Sequence, residues 1–308
     1  GDKDMVGVYM VASVLKEAIP MLEAEKVTDV VFRVNSGGGM LLEIQKLSDV
    51  IHNEYKPRFR TVAWIESAIS AAAMTAHCIE EVYFMTKGNY GACTGWFGAL
   101  QAVEGRGLED VLYMMEKISA RGKYDPKIMR SMQIEDPLSA SFNENGDVVW
   151  EQTENGQYVL NAKGQILTFT AEQALQFKFS KGTADTIDDL AHLMGYKEYE
   201  VVGIKRPNIA YAISKAEDRQ RRFRDQVAED QKRTNEYFLT YQESVQRAAA
   251  LPKEERGKFV GKARSALDQI KRMVKNNPNF ALLILNTLPE QFPEWVAERE
   301  KELRDLLR

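Results

Sequence analysis

The chain has 308 residues, 44% of them apolar, with 41 Lys plus Arg against 45 Asp plus Glu and a mean hydropathy of −0.39. That supplies a substantial core, suits two domains better than one, and leaves no apolar run of about 18 residues that would make a transmembrane helix. The opening G-D-K-D-M lacks the basic-then-apolar pattern of a leader, and because a leader or anchor can be removed, the compartment stays open between bacterial-type cytoplasmic and membrane-associated.

The charge is unevenly spread. Gly203 to Arg308 carries 22 Lys plus Arg and 16 Asp plus Glu, a net +6, and the remainder carries 19 against 29, a net −10. The break falls near Val202–Asn208, where G-I-K-R-P-N interrupts the pattern, so domains are expected at 1–202 and 203–308. Acids and bases alternate closely in the basic part, as on a solvated helix face, so no nucleic-acid partner is called. Cys78 and Cys93 have no metal-ligand spacing; two buried thiols or one disulfide both fit, and neither a metal nor a cofactor is called.

In chain order, Val8 to Ala24 has helical periodicity, and Val27 to Val34 is a strand apolar on both faces that runs into Gly37-Gly38-Gly39. Met40 to Asn53 is helical, Arg60 to Ile65 a strand, Ala68 to Cys78 a helix and Glu81 to Met85 a strand. Leu108 to Ala120 and Pro126 to Met132 read as helices. This alternation predicts an α/β domain with a parallel sheet and right-handed crossovers. Asp147 to Trp150 and Gln157 to Leu160 flank Asn155-Gly156 and read as a β-hairpin. Thr170 to Phe177 is a helix capped by Thr170, followed by a last edge strand and helix in F-S-K-G-T-A-D-T-I-D-D-L.

The second part is all-helical. Ile213, Ala216, Gln220, Phe223, Val227, Thr234, Phe238, Tyr241, Val245 and Ala248 step by threes and fours, Leu251-Pro252 breaks the stripe, and Phe259, Ala263, Ala266 and Ile270 begin another. Two long helices around a short break predict an antiparallel, coiled-coil hairpin. Such a helix is longer than one docking face needs, so part of its stripe is expected to meet another subunit, with Gln220 and Asn235 fixing register.

Two segments carry candidate chemistry. V-F-R-V-N-S-G-G-G, Val31 to Gly39, ends a strand in a glycine turn whose bared N–H groups can hold a negative oxygen. E-S-A-I-S-A-A-A-M, Glu66 to Met74, sets Ser70 at the head of a small-residue helix, where the dipole favours developing negative charge. Together they sketch an oxyanion hole facing a nucleophile. Close packing of a helix on a sheet would also select a small residue at Ser70. Ser67, one turn earlier, reads as a cap.

These segments resemble the ClpP/crotonase superfamily, where peptidases carry N-S-P-G-G or D-S-P-G-G at the glycine turn. W-I-E-S-A-I-S-A-A-A-M-T-A-H-C-I-E-E-V-Y-F-M is similar to the nucleophile helix and following strand. G-N-Y-G-A-C-T-G and L-T-F-T-A-E-Q-A-L-Q-F-K-F-S-K-G-T-A-D-T-I-D-D-L resemble later segments of the signal peptide peptidase A and NfeD-type serine peptidases. The resemblance covers Val6 to Gly195 and implies a spiral β-β-α domain, peptide or protein substrates and a homo-oligomer. It implies Ser70 as nucleophile, Gly38 and Gly39 as oxyanion glycines, and the Ala71 N–H as second donor. Gly37 departs from the family proline. Superfamily members open with a β-strand, whereas here only G-D-K-D-M precedes Val6.

The general base is the open point. The loop Asn89 to Trp96, where ClpP supplies a histidine, has none; His52, His77 and His192 lie elsewhere and read as surface or core residues. The other two families use a lysine, whose pKa falls on burial. The NfeD-type lysine position falls near Gly105-Arg106, and arginine does not act as a base. Lys123, 53 residues after Ser70, is the first choice for a Ser–Lys dyad, although its G-K-Y-D setting departs from the family motif; Lys117 is the second. Two readings therefore stand: a serine peptidase, or a catalytically inactive scaffold of the same fold whose helical extension mediates assembly or partner binding. An acyl-CoA enzyme of crotonase type is a distant third, because that branch lacks the small-residue serine helix.

Overall fold

The structure is a computed structural model and describes residues 5–97, 101–102 and 104–308. The chain divides into two compact units, Gly1–Arg221 and Arg222–Arg308.

In the first unit, α1 (Ala12–Ala24) leads to β1 (Asp29–Ser36), α2 (Leu41–Val50), a π-helical turn at Ile51–Tyr55 and β2 (Arg60–Ile69). Then come α3 (Ala71–Ala76), β3 (Glu81–Phe84), β4 (Asn89–Gly91), β5 (Trp96–Phe97) and β6 (Gln101–Ala102). β2 is the spine of the main sheet. It pairs in parallel with β1 along its length, and on its other edge first with β3 (Val62 to Ile65) and then with β4 (Ala68 and Ile69). The three strands expected side by side in one parallel sheet are thus neighbours. β10 (Thr168–Thr170) closes the β4 edge antiparallel.

Near its end β2 carries a bulge. Val34 pairs with Ile65 but Asn35 with Ser67, leaving Glu66 as the extra residue. Bulges re-aim the residues that follow them, and here they precede the turn into α3. This also accounts for the helix expected from Ala68: Ala68 and Ile69 pair with Tyr90 and Gly91 as strand, and the helix starts only at Ala71. The apolar pattern runs unbroken through both elements, so it does not mark the change.

One face of the sheet packs on the main core, with Ile44, Leu47, Ala63, Ile65, Met74 and Phe84 among its residues. The other face, Val62, Trp64 and Tyr83, is covered by Ala184 and by Leu190 and Met194 from α7 (Ile187–Leu193) and its end. Apolar residues on both faces of β2 are what a doubly covered parallel strand requires.

α4 (Gly105–Gly122) and α5 (Pro126–Gln133) lead into a three-stranded antiparallel sheet. The expected hairpin of two strands around Asn155-Gly156 is not formed. β8 (Val148–Glu151) and β9 (Tyr158–Asn161) both pair with β7 (Leu138–Phe142), which lies between them. L-S-A-S-F is too poor in large apolar residues to announce β7 as a strand; Ser139 and Ser141 accept backbone N–H groups of Gly156 and Gln157 at 2.9 and 3.0 Å. Thr170 caps α6 (Ala171–Gln176) as expected, in a reciprocal capping box with Gln173.

The helical region begins with α8 (Lys215–Ala249). Its first residues belong to the first unit, whose extent reaches past the expected boundary at 202. Ile204 bridges Ile213, Arg219 pairs with Glu17 at 2.6 Å, and Gln220 donates to the Tyr9 carbonyl at 2.6 Å. The register role expected of Gln220 is therefore replaced by a bond to the α/β part, and Asn235 is exposed. In the second unit α8 and α9 (Gly257–Asn276) form the expected antiparallel pair, and α11 (Phe292–Asp305) makes a third member. Tyr241 and Ala248 pack with Val260, Ala263, Ala266, Leu267 and Leu303, and Tyr241 donates to Glu302 at 2.7 Å. Between them lies the short α10 (Phe280–Leu285).

Candidate functional site

The turn from β2 into α3 is strained. Ser70 lies between the two elements with φ +55° and ψ −128°, a conformation that L-residues other than glycine seldom adopt. Three contacts fix it. Its N–H donates to the Gly91 carbonyl at 2.9 Å, its carbonyl accepts the Met74 N–H at 3.0 Å, and the buried Cys93 thiol reaches the same carbonyl at 3.7 Å. The side chain is half-buried. Among the described residues no side chain hydrogen-bonds its Oγ.

The glycine turn is what Ser70 faces. A β-carbon on Gly38 would lie 2.8 Å from Ser70 Cβ and 3.2 Å from Ser70 Oγ. Gly38 and Gly39 have φ of +122° and +148°. Behind them runs the N-terminal segment: Val6 N–H donates to the Gly38 carbonyl at 2.9 Å and Met40 N–H to the Val6 carbonyl at 3.0 Å. A β-carbon on Gly39 would fall 2.2 Å from that same Val6 oxygen, so both glycines are required by close approach. The helix expected from Val8 therefore starts at Ala12, and Val6 forms a parallel bridge with Gly39 ahead of it; residues 1–4 lie outside the described residues.

The N–H groups differ in what they are free to do. Gly38 N–H points to Ser36 Oγ at 3.2 Å. The Gly39 and Ala71 N–H groups have no protein acceptor among the described residues. Gly38 thus makes room for Ser70 by its missing side chain, while the Gly39 and Ala71 N–H groups are unused among the described residues.

The structure does not bring the first-choice base to this place. Lys123 ends α4 in a left-handed conformation and pairs with Glu80 at 2.7 Å, its side chain 73% exposed. Glu80 lies in the turn after α3, and Gly122 packs on the His77 carbonyl, so Lys123 sits at the C-terminal end of the helix that Ser70 begins. Lys117 lies over the Tyr113 ring at 4.2 Å. Ser67 is not a cap; it donates to Asn89 Oδ1 at 2.8 Å from within β2.

His77 is fully buried at the end of α3, stacked on Tyr124 at 4.6 Å. Tyr90 gives its hydroxyl proton to the Ala73 carbonyl at 2.6 Å, so its oxygen accepts from His77 Nδ1 at 3.1 Å. Burial without a counter-charge lowers the His77 pKa to about 3. His52 is lowered, first by burial, and His192 is exposed. Cys78 and Cys93 are both free and buried, which settles the choice between thiols and a disulfide; burial pushes the Cys78 thiol up to about 11 and Cys93 higher still. Among the described residues no cluster of His, Cys, Asp or Glu could hold a metal ion, and no helix is long and apolar enough to cross a membrane.

No family model matches the chain. The membrane protein NfeD1b of Bacillus subtilis (strain 168) is 24% identical over 191 residues, which is 62% of this chain and 39% of that protein. The chain thus spans about two-fifths of the length of this curated relative, a weak relationship at family level. Among solved structures, a serine-to-alanine variant of the 1510-N membrane-bound stomatin-specific protease has a TM-score of 0.44 at 12% identity, over 61% of this chain and 79% of that one. A lysine-to-alanine variant of the same protease, in complex with a substrate peptide, has a TM-score of 0.43 at 13% identity, over 59% and 72%.

Proposed function

We propose that residues 6 to about 199 are a ClpP/crotonase-type spiral domain, closest in kind to the signal peptide peptidase A and NfeD-type serine peptidases, with Ser70 as a nucleophile toward peptide or protein substrates. The observation that carries this reading is the backbone of Ser70, held at φ +55° on a strand-to-helix turn directly against Gly38. Strain of this kind costs about 1–3 kcal/mol and persists where a site requires it. Ser70 Oγ would attack the substrate carbonyl carbon, and the Gly39 and Ala71 N–H groups would receive the oxyanion. The relationship to NfeD1b supports work at a membrane. Within one chain Lys123 is engaged by Glu80, so a Ser–Lys dyad with Lys123 requires a second copy to deliver it. Homo-oligomer formation belongs to the same reading and rests on the resemblance, because the Tyr241–Ala248 part of the heptad stripe is buried against α9 and α11. Light scattering on the full chain tests it.

The second reading, an inactive scaffold, has its own support: no side chain among the described residues bonds Ser70 Oγ, and the candidate lysine is paired elsewhere. A fluorophosphonate probe and a fluorogenic peptide set separate the two. Labelling and hydrolysis that both vanish in Ser70→Ala support the peptidase. Folded protein that is unlabelled, or labelled without turnover, supports the scaffold.

A further inference from the structure

Helix α9 is divided by charge as sharply as by hydropathy. Its buried residues, Val260, Ala263, Ala266, Leu267, Ile270, Met273 and Val274, recur at helical spacing and fill the core of the second unit. Its charged residues are six cations, Lys258, Lys262, Arg264, Lys271, Arg272 and Lys275, against one acid, Asp268. At 100° per residue all six cations fall on the arc opposite the buried one.

Some of this charge is neutralised inside the unit. Lys271 pairs with Glu300 at 3.0 Å and with Asp268 at 3.6 Å, and Arg272 reaches the buried Asp230 at 3.4 Å. Lys258, Lys262, Arg264 and Lys275 are exposed and have no ion-pair partner among the described residues. An intramolecular role does not explain four unpaired cations on one face.

The end of α9 adds a second feature. After Asn277 the chain enters α10, F-A-L-L-I-L, which buries Phe280 and Ala281 but leaves Leu283 46% exposed, as is Leu288 just beyond it. Exposed leucines are unremarkable singly. Two of them following a cationic helix make the pairing that an anionic lipid surface selects: point charges for the headgroups and apolar side chains for the acyl boundary. Duplex nucleic acid would use the lysines and gain nothing from the leucines.

We propose that the exposed face of α9, with Leu283 and Leu288, is a docking surface for an anionic membrane. It is a property of the helical unit and independent of chemistry at Ser70. Each lysine near such a surface contributes about fivefold in binding, so the three together contribute roughly a hundredfold, and salt weakens that part. The leucines contribute about tenfold together, with little salt dependence.

The test is sedimentation of the full chain with vesicles of phosphatidylcholine alone and of phosphatidylcholine mixed with phosphatidylglycerol, at low and physiological salt. The proposal expects binding to the mixed vesicles only. It expects a loss of roughly a hundredfold in Lys258→Gln/Lys262→Gln/Lys275→Gln at low salt, and about tenfold in Leu283→Ser/Leu288→Ser at either salt. All five positions are exposed, and unchanged circular dichroism verifies that the variants fold. No vesicle binding, equal binding to neutral vesicles, unaltered binding by the lysine variant, or retention on duplex DNA in place of vesicles would each overturn it. Fluorophosphonate labelling at Ser70 is read in parallel, so failure of the membrane surface and failure of the peptidase reading stay distinct.

Discussion

Gly38 leaves no room for a side chain against Ser70: its missing β-carbon would lie 2.8 Å from Ser70 Cβ. The two residues come from different strand ends, β1 and β2, and meet because those strands run parallel and adjacent. Gly38→Ala must push Ser70 aside while placing alanine at φ +122°. We expect a loss of about 1–3 kcal/mol in urea unfolding and, where Ser70 reacts with a fluorophosphonate, loss of that labelling. Gly39→Ala meets the Val6 backbone instead, at 2.2 Å, and is expected to cost more. Equal stability of Gly38→Ala and the parent protein would contradict the packing described.

Lys123 gives a prediction of the opposite kind. Its ammonium is held by Glu80, at the far end of α3 from Ser70, and its side chain is 73% exposed. Exposed ion pairs contribute about 0–1 kcal/mol. Lys123→Met should therefore change stability by less than about 1 kcal/mol and leave Ser70 labelling by a fluorophosphonate untouched in the monomeric chain. A selective loss of labelling in a folded variant would place Lys123 in the site through another copy.

Much of this was legible in the sequence, and the exceptions have physical causes. The order of β1, β2 and β3, the cap at Thr170 and the antiparallel pairing of α8 with α9 follow from periodicity and local chemistry, which act over a few residues. The glycine turn and Ser70 could be placed because each needs a particular backbone. What failed depends on long-range pairing. Nothing in D-V-V-W or Q-Y-V-L says that each pairs with L-S-A-S-F and not with the other. Nothing near Met5 announces that Val6 will run beside Gly39. A lysine's distance from a serine is likewise set by the whole fold, so the 53-residue spacing of Lys123 from Ser70 carried little information. The close alternation of acids and bases read over the whole basic part does not extend to α9, whose six cations face a single acid, Asp268.

His77 should make the protein acid-sensitive before its carboxylates titrate. Its folded pKa, about 3, lies below the ordinary value of 6.5 because burial disfavours the imidazolium. A depressed folded pKa means that the contribution is complete above pH ~6.5 and is lost as pH falls toward 3. In this window each pH unit removes about 1.4 kcal/mol. His52 shifts in the same direction, so the comparison is between wild type and His77→Phe. The variant loses the bond to Tyr90 and starts less stable, but its unfolding free energy should fall less steeply between pH 6.5 and 5, by about 1.4 kcal/mol per unit. Identical slopes would show that His77 titrates normally in the folded state.

Ser70 itself offers the sharpest separation of structure from chemistry. Its backbone sits at φ +55°, ψ −128°, while its hydroxyl has no hydrogen-bond partner among the described residues. Replacing it by alanine removes the hydroxyl and keeps the strain, so Ser70→Ala should have nearly the stability of the parent. Replacing it by glycine removes both. The relief of about 1–3 kcal/mol exceeds the roughly 0.5–1 kcal/mol that glycine loses in backbone entropy, so Ser70→Gly should be more stable than Ser70→Ala, by about 1 kcal/mol. Denaturant unfolding of the pair measures this directly. A residue that makes the chain less stable where it stands, and whose hydroxyl bonds to nothing that would offset the cost, fits a position kept for reactivity. If Ser70→Gly is instead the less stable of the two, the backbone at this turn is not strained, and the principal support for a nucleophile at Ser70 falls with it.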